Sequence, residues 1–211
     1  MCCRLRGSLF LCIYCTICTL IFMLILSIII FWIIISPSNI KFHVTDASLT
    51  QFNLTTDNTL YYNLRVNITV RNPNNNILVY YRKITAIAWY KDNAFGAVEL
   101  APFDQGHKNT TFLQAVFEGQ NVIRLKGKQV AEYKEETSVG IYNDLALDLD
   151  LTIKAKYGRF KRTGSFNPAI VQCRRLGVPL ISKYNCKTPP PFSASRCKTG
   201  ASFVDRNAGD A

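Results

Sequence analysis

Leu145-Ala146-Leu147-Asp148-Leu149-Asp150-Leu151-Thr152-Ile153-Lys154-Ala155-Lys156-Tyr157 is the stretch that decides the fold. Apolar side chains hold every odd position, while from 148 onward Asp148, Asp150, Thr152, Lys154 and Lys156 hold the even ones. Successive side chains of a strand point to opposite faces, so a period of two marks a strand with one dry face and one wet face. On this reading Leu149 is core and Asp148 and Asp150 are solvated. Leu64 to Arg71 alternates in the same way. Ile77–Tyr90, Ala94–Leu100 and Phe112–Phe117 also read as strands, with turn signals at Asp92-Asn93, Gly106 and Gly119-Gln120, and Lys128–Glu136 reads as a short helix. Several short strands at close spacing predict a mainly β chain folded as an antiparallel sandwich.

The N-terminus obeys a different period. Leu9 to Ile35 is 27 consecutive residues without a charge, inside a 211-residue chain that is 48% hydrophobic and only 18% charged. At about 1.5 Å per residue such a helix exceeds the ~30 Å hydrocarbon core of a bilayer. It is also too long for the h-region of a cleaved signal peptide. The expected organisation is therefore a cytosolic tail over 1–8, a transmembrane signal anchor over 9–35, a linker over 36–44, a sandwich over 45–172 and a basic tail over 173–211. Arg4 and Arg6 before the helix place the N-terminus on the cytosolic side. N-x-Ser/Thr sequons at Asn53, Asn67 and Asn109 all follow it, and Cys173, Cys186 and Cys197 suit an oxidising exterior. A simple cytosolic enzyme is excluded by this arrangement.

Cysteines before and within the apolar segment read separately. Cys12, Cys15 and Cys18 share one helix face, where small residues help helices approach. Cys2 and Cys3, beside Arg4 and Arg6, are candidates for S-acylation, balanced against unmodified thiols.

Asn72-Pro73-Asn74-Asn75-Asn76 punctuates two strands. Pro73 has no N–H, so ladder pairing stops there, and Asn side chains bond their own backbone two residues on. Val70-Arg71-Asn72-Pro73-Asn74, followed by Tyr80-Tyr81, resembles the strand–NPN–strand signature of plant proteins related to the non-race-specific disease resistance and harpin-induced proteins. Tyr157-Gly158, leading to Cys173, is similar to that family's C-terminal motif. The resemblance implies a late-embryogenesis-abundant group 2 domain with a fibronectin- or immunoglobulin-like sandwich. It also implies a plasma-membrane or plasmodesmal location, protein partners in defence responses, and no catalytic residues. The family-like block sets Cys173 just beyond the last strand, and a Cys173–Cys186 bridge would close a loop worth about 3 kcal/mol. That bridge is the expected one and leaves Cys197 odd, with Cys173–Cys197 and Cys186–Cys197 as the other pairings.

Residues arranged for catalysis or metal binding are scarce. His43 and His107 have no ligand partners at metal spacing. No nucleophile elbow, Walker loop or dinucleotide fingerprint occurs, so neither enzyme activity nor a cofactor is expected. What stands out is charge. Residues 154–211 carry 12 of the 25 basic residues and only Asp205 and Asp210 as acids. Lys154, Lys156, Arg159, Lys161, Arg162, Arg174 and Arg175 form the expected basic patch. Outside a cell such a patch meets acidic wall polysaccharide or anionic lipid headgroups, and nucleic acid is excluded as a partner. The competing reading is a lipid-binding or stress-protective membrane module, which needs an apolar cavity between the sheets.

Overall fold

The computed structural model describes residues 3–35, 38–157, 165–166, 171–184 and 190–199. Two compact units divide at Pro37. The first is α1 (Cys3–Ile35), whose segment Leu11–Ile30 is long and apolar enough to cross a membrane. Thr16, Thr19 and Ser27 donate their hydroxyls to backbone carbonyls three residues back, which satisfies them without water.

The second unit is mainly β. Its strands are β1 (Lys41–Leu54), β2 (Thr59–Arg71), β3 (Ile77–Tyr90), β4 (Asn93–Leu100), β5 (Phe103–Gln105), β6 (Thr110–Val122), β7 (Ile141–Tyr157), β8 (Ser165–Phe166), β9 (Val171–Pro179), β10 (Ser195–Arg196) and β11 (Lys198–Thr199). One sheet runs β10-β1-β2-β6 and the other β11-β9-β7-β3-β4, with β5 paired to β3 and β8 to β7. Every strand pair is antiparallel. The expected antiparallel sandwich is the fold.

Leu145, Leu147, Leu149 and Leu151 are all buried. They meet inward residues of the opposite sheet such as Leu60, Leu64, Val66 and Ile68 in one core. Two features differ from the sequence reading. β1 begins at Lys41, inside the stretch read as linker, because Phe42, Val44, Ala47 and Leu49 supply a buried face that Ser48 and Thr50 interleave only imperfectly. Register shifts between Val44 and Asp46 and between Leu49 and Gln51 break its alternation, and this hid the strand. Likewise, β9, β10 and β11 lie in or extend into the segment read as a tail.

α2 (Gly127–Val139) covers one end of the sandwich. Its last carbonyls are closed by Gly140 at φ 84, a left-handed position that suits glycine. Tyr133 is its buried residue, and it packs among Phe52, Tyr90 and Tyr142 at ring separations of 6.0–6.3 Å. Each hydroxyl finds a partner: Tyr133 and Tyr142 both donate to the Phe52 carbonyl, and Tyr90 donates to Glu136 at 2.6 Å. Burial pushes the Tyr90 and Tyr142 phenols up, Tyr142 to about 12, so they remain donors throughout the physiological range.

Asp148 is a correction to the solvated-charge reading. It is 6% exposed, its Oδ2 accepts from Arg174 at 3.2 Å, and its Oδ1 has no partner. Burial raises its carboxyl above the ordinary range and Arg174 only partly offsets this. Replacing such a carboxylate by an apolar group relieves a desolvation cost. Leu149→Asp instead buries an unpaired carboxylate at a fully enclosed site, at several kcal/mol. Urea unfolding should therefore show Leu149→Asp destabilised by more than 3 kcal/mol, about the cost of breaking a buried polar pair, and Asp148→Leu within about 1 kcal/mol of wild type. Equal losses would reverse the assignment of the two faces.

Candidate functional site

The Asn72-Pro73-Asn74 turn lies where the chain leaves β2 in one sheet for β3 in the other. Asn72 is fully buried, and its side-chain amide donates to the carbonyls of Ile77 at 2.8 Å and Gly106 at 2.9 Å. Its oxygen accepts from the Asn74 backbone and side chain. Asn74 in turn bonds both backbone groups of Ser38, on the approach to β1. Gln105 is also buried and joins the sheets directly, donating to Val70 of β2 and accepting from Tyr81 of β3. Tyr81 stacks on Phe103 with ring centres 4.3 Å apart. Tyr80 faces away, under the Arg82 guanidinium. Tyr157 pairs with Ile77, while Gly158 lies outside the described residues. The motif is thus a structural lock, and it offers no open site.

A second fastening closes the opposite edge. Ser195-Arg196 pairs with β1 and Lys198-Thr199 with β9, so Cys197 sits where the chain steps from one sheet to the other. There it bonds Cys173 in a buried disulfide. The expected Cys173–Cys186 bridge is corrected: sequence proximity favoured Cys186, but strand pairing of β10 and β11 brings the more distant cysteine alongside. Cys186 lies outside the described residues, as does Cys2, and the side chain of Cys3 is likewise undescribed.

The basic patch divides. Arg174 and Arg175 lie on β9, beside a surface cleft that also takes Lys91 and Lys198. Lys154 and Lys156 sit at the far end of β7, opposite Tyr80 and Leu78. Arg159, Lys161 and Arg162 lie outside the described residues. Lys91 was missed in the sequence because it stands alone in a turn. Its side chain is 4% exposed and its ammonium bonds Glu132 at 2.5 Å, which holds the Glu132 carboxyl below its ordinary range. The cleft runs on past Glu135, Val139, Ile141 and Asn143, between α2 and the start of β7.

Two sequon asparagines lie on strands of the four-stranded sheet and the third at the turn into it. Asn53 is exposed on β1, Asn109 is exposed in the turn before β6, and Asn67 is half-buried on β2, between Asp46 and Gln114. Among the described residues no group of three or more His, Cys, Asp or Glu side chains is placed to hold a metal.

Comparison with known proteins agrees with this architecture. The family model for late embryogenesis abundant protein (LEA_2) matches residues 67–169. NDR1/HIN1-like protein 10 of Arabidopsis thaliana is 40% identical over 182 residues, covering 85% of this chain and 78% of that protein. The chain belongs to the NDR1/HIN1-like family. NDR1/HIN1-like protein 3 of the same plant is 39% identical, covering 85% of this chain and 75% of that protein. NDR1/HIN1-like protein 2 is 37% identical over 72% of this chain and 62% of its own length. In this NDR1/HIN1-like chain the family match takes in the Asn72 lock, the cleft-lining Lys91 and all of β7, but stops before the Cys173–Cys197 fastening.

The fastening has a measurable weight. A loop of 24 residues, the separation of Cys173 and Cys197, is worth about 3.5 kcal/mol in the chain-entropy model. Cys197→Ser should lower unfolding free energy by about that amount, and Cys186→Ser should leave it unchanged. The reverse order would restore the Cys173–Cys186 pairing.

Proposed function

We propose that this NDR1/HIN1-like protein is a single-pass plasma-membrane protein, N-terminus in the cytosol and sandwich outside. There it acts as a non-enzymatic binding module in plant defence, at the face between membrane and wall. The observation that carries the reading is the placement of Asn53 and Asn67 on the four-stranded sheet and of Asn109 at the turn into its β6, all after an apolar helix. A buried disulfide, stable where thiols oxidise, and the family's link to defence support it.

A glycan on Asn53, Asn67 or Asn109 would cover the outer side of the four-stranded sheet. That leaves the seven-stranded sheet and α2, with Arg174, Arg175 and Lys198, for partners. Partners on that side would be anionic wall polysaccharide, lipid headgroups or defence proteins.

The lipid-handling reading has less support. Tyr81, Tyr90, Tyr142, Phe95 and Leu149 fill the space between the sheets, each under 2% exposed. Tyr90, Phe95 and Tyr142 pack edge to face on Phe52 at 4.6–5.7 Å, and Tyr62 packs the same way on Phe95 at 4.9 Å. Such packing suits a rigid scaffold.

Treatment with an N-glycosidase should increase the gel mobility of protein taken from plant cells, in steps lost one at a time in Asn53→Gln, Asn67→Gln and Asn109→Gln. Protein that shows no shift at all would put the sandwich in the cytosol and overturn the topology.

A further inference from the structure

β7 and β9 fall out of register twice, within a few residues of each other. Between Tyr142↔Val178 and Leu145↔Leu176, β7 carries one residue too many, so Asn143 and Asp144 together oppose Gly177. Between Leu145↔Leu176 and Leu147↔Cys173 the surplus is on β9, where Arg174 and Arg175 oppose Ala146. A bulge bends its strand and re-aims its side chains. Arg175 is held at φ 57, and Lys91, in the turn from β3 to β4, at φ 54. Neither is glycine, and a left-handed backbone costs such residues on the order of 1 kcal/mol each. Both bulges and the turn deliver side chains to one cleft, lined by Lys91, Glu132, Asp144, Arg174, Arg175 and Lys198.

The charges there are not all spoken for. Glu132 takes Lys91, and Asp148 takes Arg174. Among the described residues, Arg175, Lys198 and Asp144 are left with side chains in no hydrogen bond or ion pair. Two free cations beside one free carboxylate define a ligand class. A phosphate dianion would be drawn by the cations but repelled by Asp144 and by neighbouring Asp92 and Glu132. An acidic sugar carries one carboxylate and several hydroxyls, and so uses both signs. A guanidinium matches a carboxylate bidentately, and a carboxylate accepts from hydroxyls.

We propose that the cleft between α2 and the double bulge of β7 and β9 binds a uronate residue of an acidic polysaccharide, Arg175 and Lys198 holding its carboxylate and Asp144 its hydroxyls. The site adds a ligand and an address to the outward topology proposed above, and it rests on that topology only for access to the wall.

The test uses the full chain in neutral-lipid nanodiscs, titrated calorimetrically with oligogalacturonide, its methyl-esterified counterpart and inorganic phosphate. Oligogalacturonide should bind, and the ester and phosphate should bind at least tenfold more weakly. Arg175→Gln and Lys198→Gln should each weaken binding about tenfold, the scale of one charge-assisted hydrogen bond. Arg175→Gly removes the side chain and relieves the left-handed backbone, so it should fold at least as well as wild type and still bind about tenfold more weakly. Asp144→Asn is decisive in sign. It should weaken oligogalacturonide several-fold, whereas a plain basic surface would gain affinity for any anion once that charge is removed.

Lys154→Gln, about ten residues away along β7, should change nothing. Tighter binding in Asp144→Asn, equal binding of phosphate or ester, or an equal loss in Lys154→Gln would overturn the proposal, as would absence of binding. Because the purified chain is used, these outcomes are independent of the glycosidase result, which alone reports on topology.

Discussion

Any chain that passes between the sheets of a sandwich must take backbone N–H and C=O groups through a dry corner, and each one needs a partner there. In this protein two buried amides meet that demand. Asn72 serves the crossing from β2 to β3 and reaches Gly106, on the return from β5 to β6. The Asn109 carbonyl accepts from both the Asn72 backbone and the Gln105 side chain, so the outward and return crossings share one acceptor. Asn74 extends the same network to the start of β1 through Ser38. Removing one member of such a network strands the others in a low-dielectric setting, which is why the corner behaves as a unit.

With that corner fixed, the rest of the geometry has little freedom. β3 and β7 pair from Ile77↔Tyr157 to Tyr90↔Leu145 with one bulge at Arg82, so Leu149 and its neighbours face β1 and β2. The two bulges of β7 and β9 lie next to α2 and the Cys173–Cys197 strap. The four-stranded sheet carries Asn53 and Asn67, with Asn109 at the turn into its β6, and the bulged β7–β9 edge of its partner carries the strained Arg175 and the mixed-charge cleft.

Much of this was legible in the residues, and the misses have physical causes. The alternation from Leu145 to Tyr157 identified the central strand, and the Asn72-Pro73-Asn74 turn chemistry placed a corner where one exists. Apolar side chains alternate there because one face is dry, and that signal is local. Pairing across space is not local. Cys197 could not be recognised as the partner of Cys173 without knowing that four residues around it bridge both sheets. Asp148 looked solvated because polarity at an even position does not reveal what neighbouring strands lay over it. Lys91 and Asp144, isolated charges in a turn and a bulge, carried no sequence signal at all. Adjacent breaks in alternation at Asn143-Asp144 and Arg174-Arg175 were the one clue, readable as bulges only once the strands are paired.

The claim on which everything else depends is that Asn72 and Gln105 act as one network holding the sheet crossings together. A double-mutant cycle on unfolding free energy measures that directly, with Asn72→Ala, Gln105→Ala and the pair. Groups sharing a buried network should couple by about 1 kcal/mol or more, so the double variant should lose much less than the sum of the single losses. Strict additivity, within a few tenths of a kcal/mol, would mean that the two amides serve their corners independently and would contradict the shared lock.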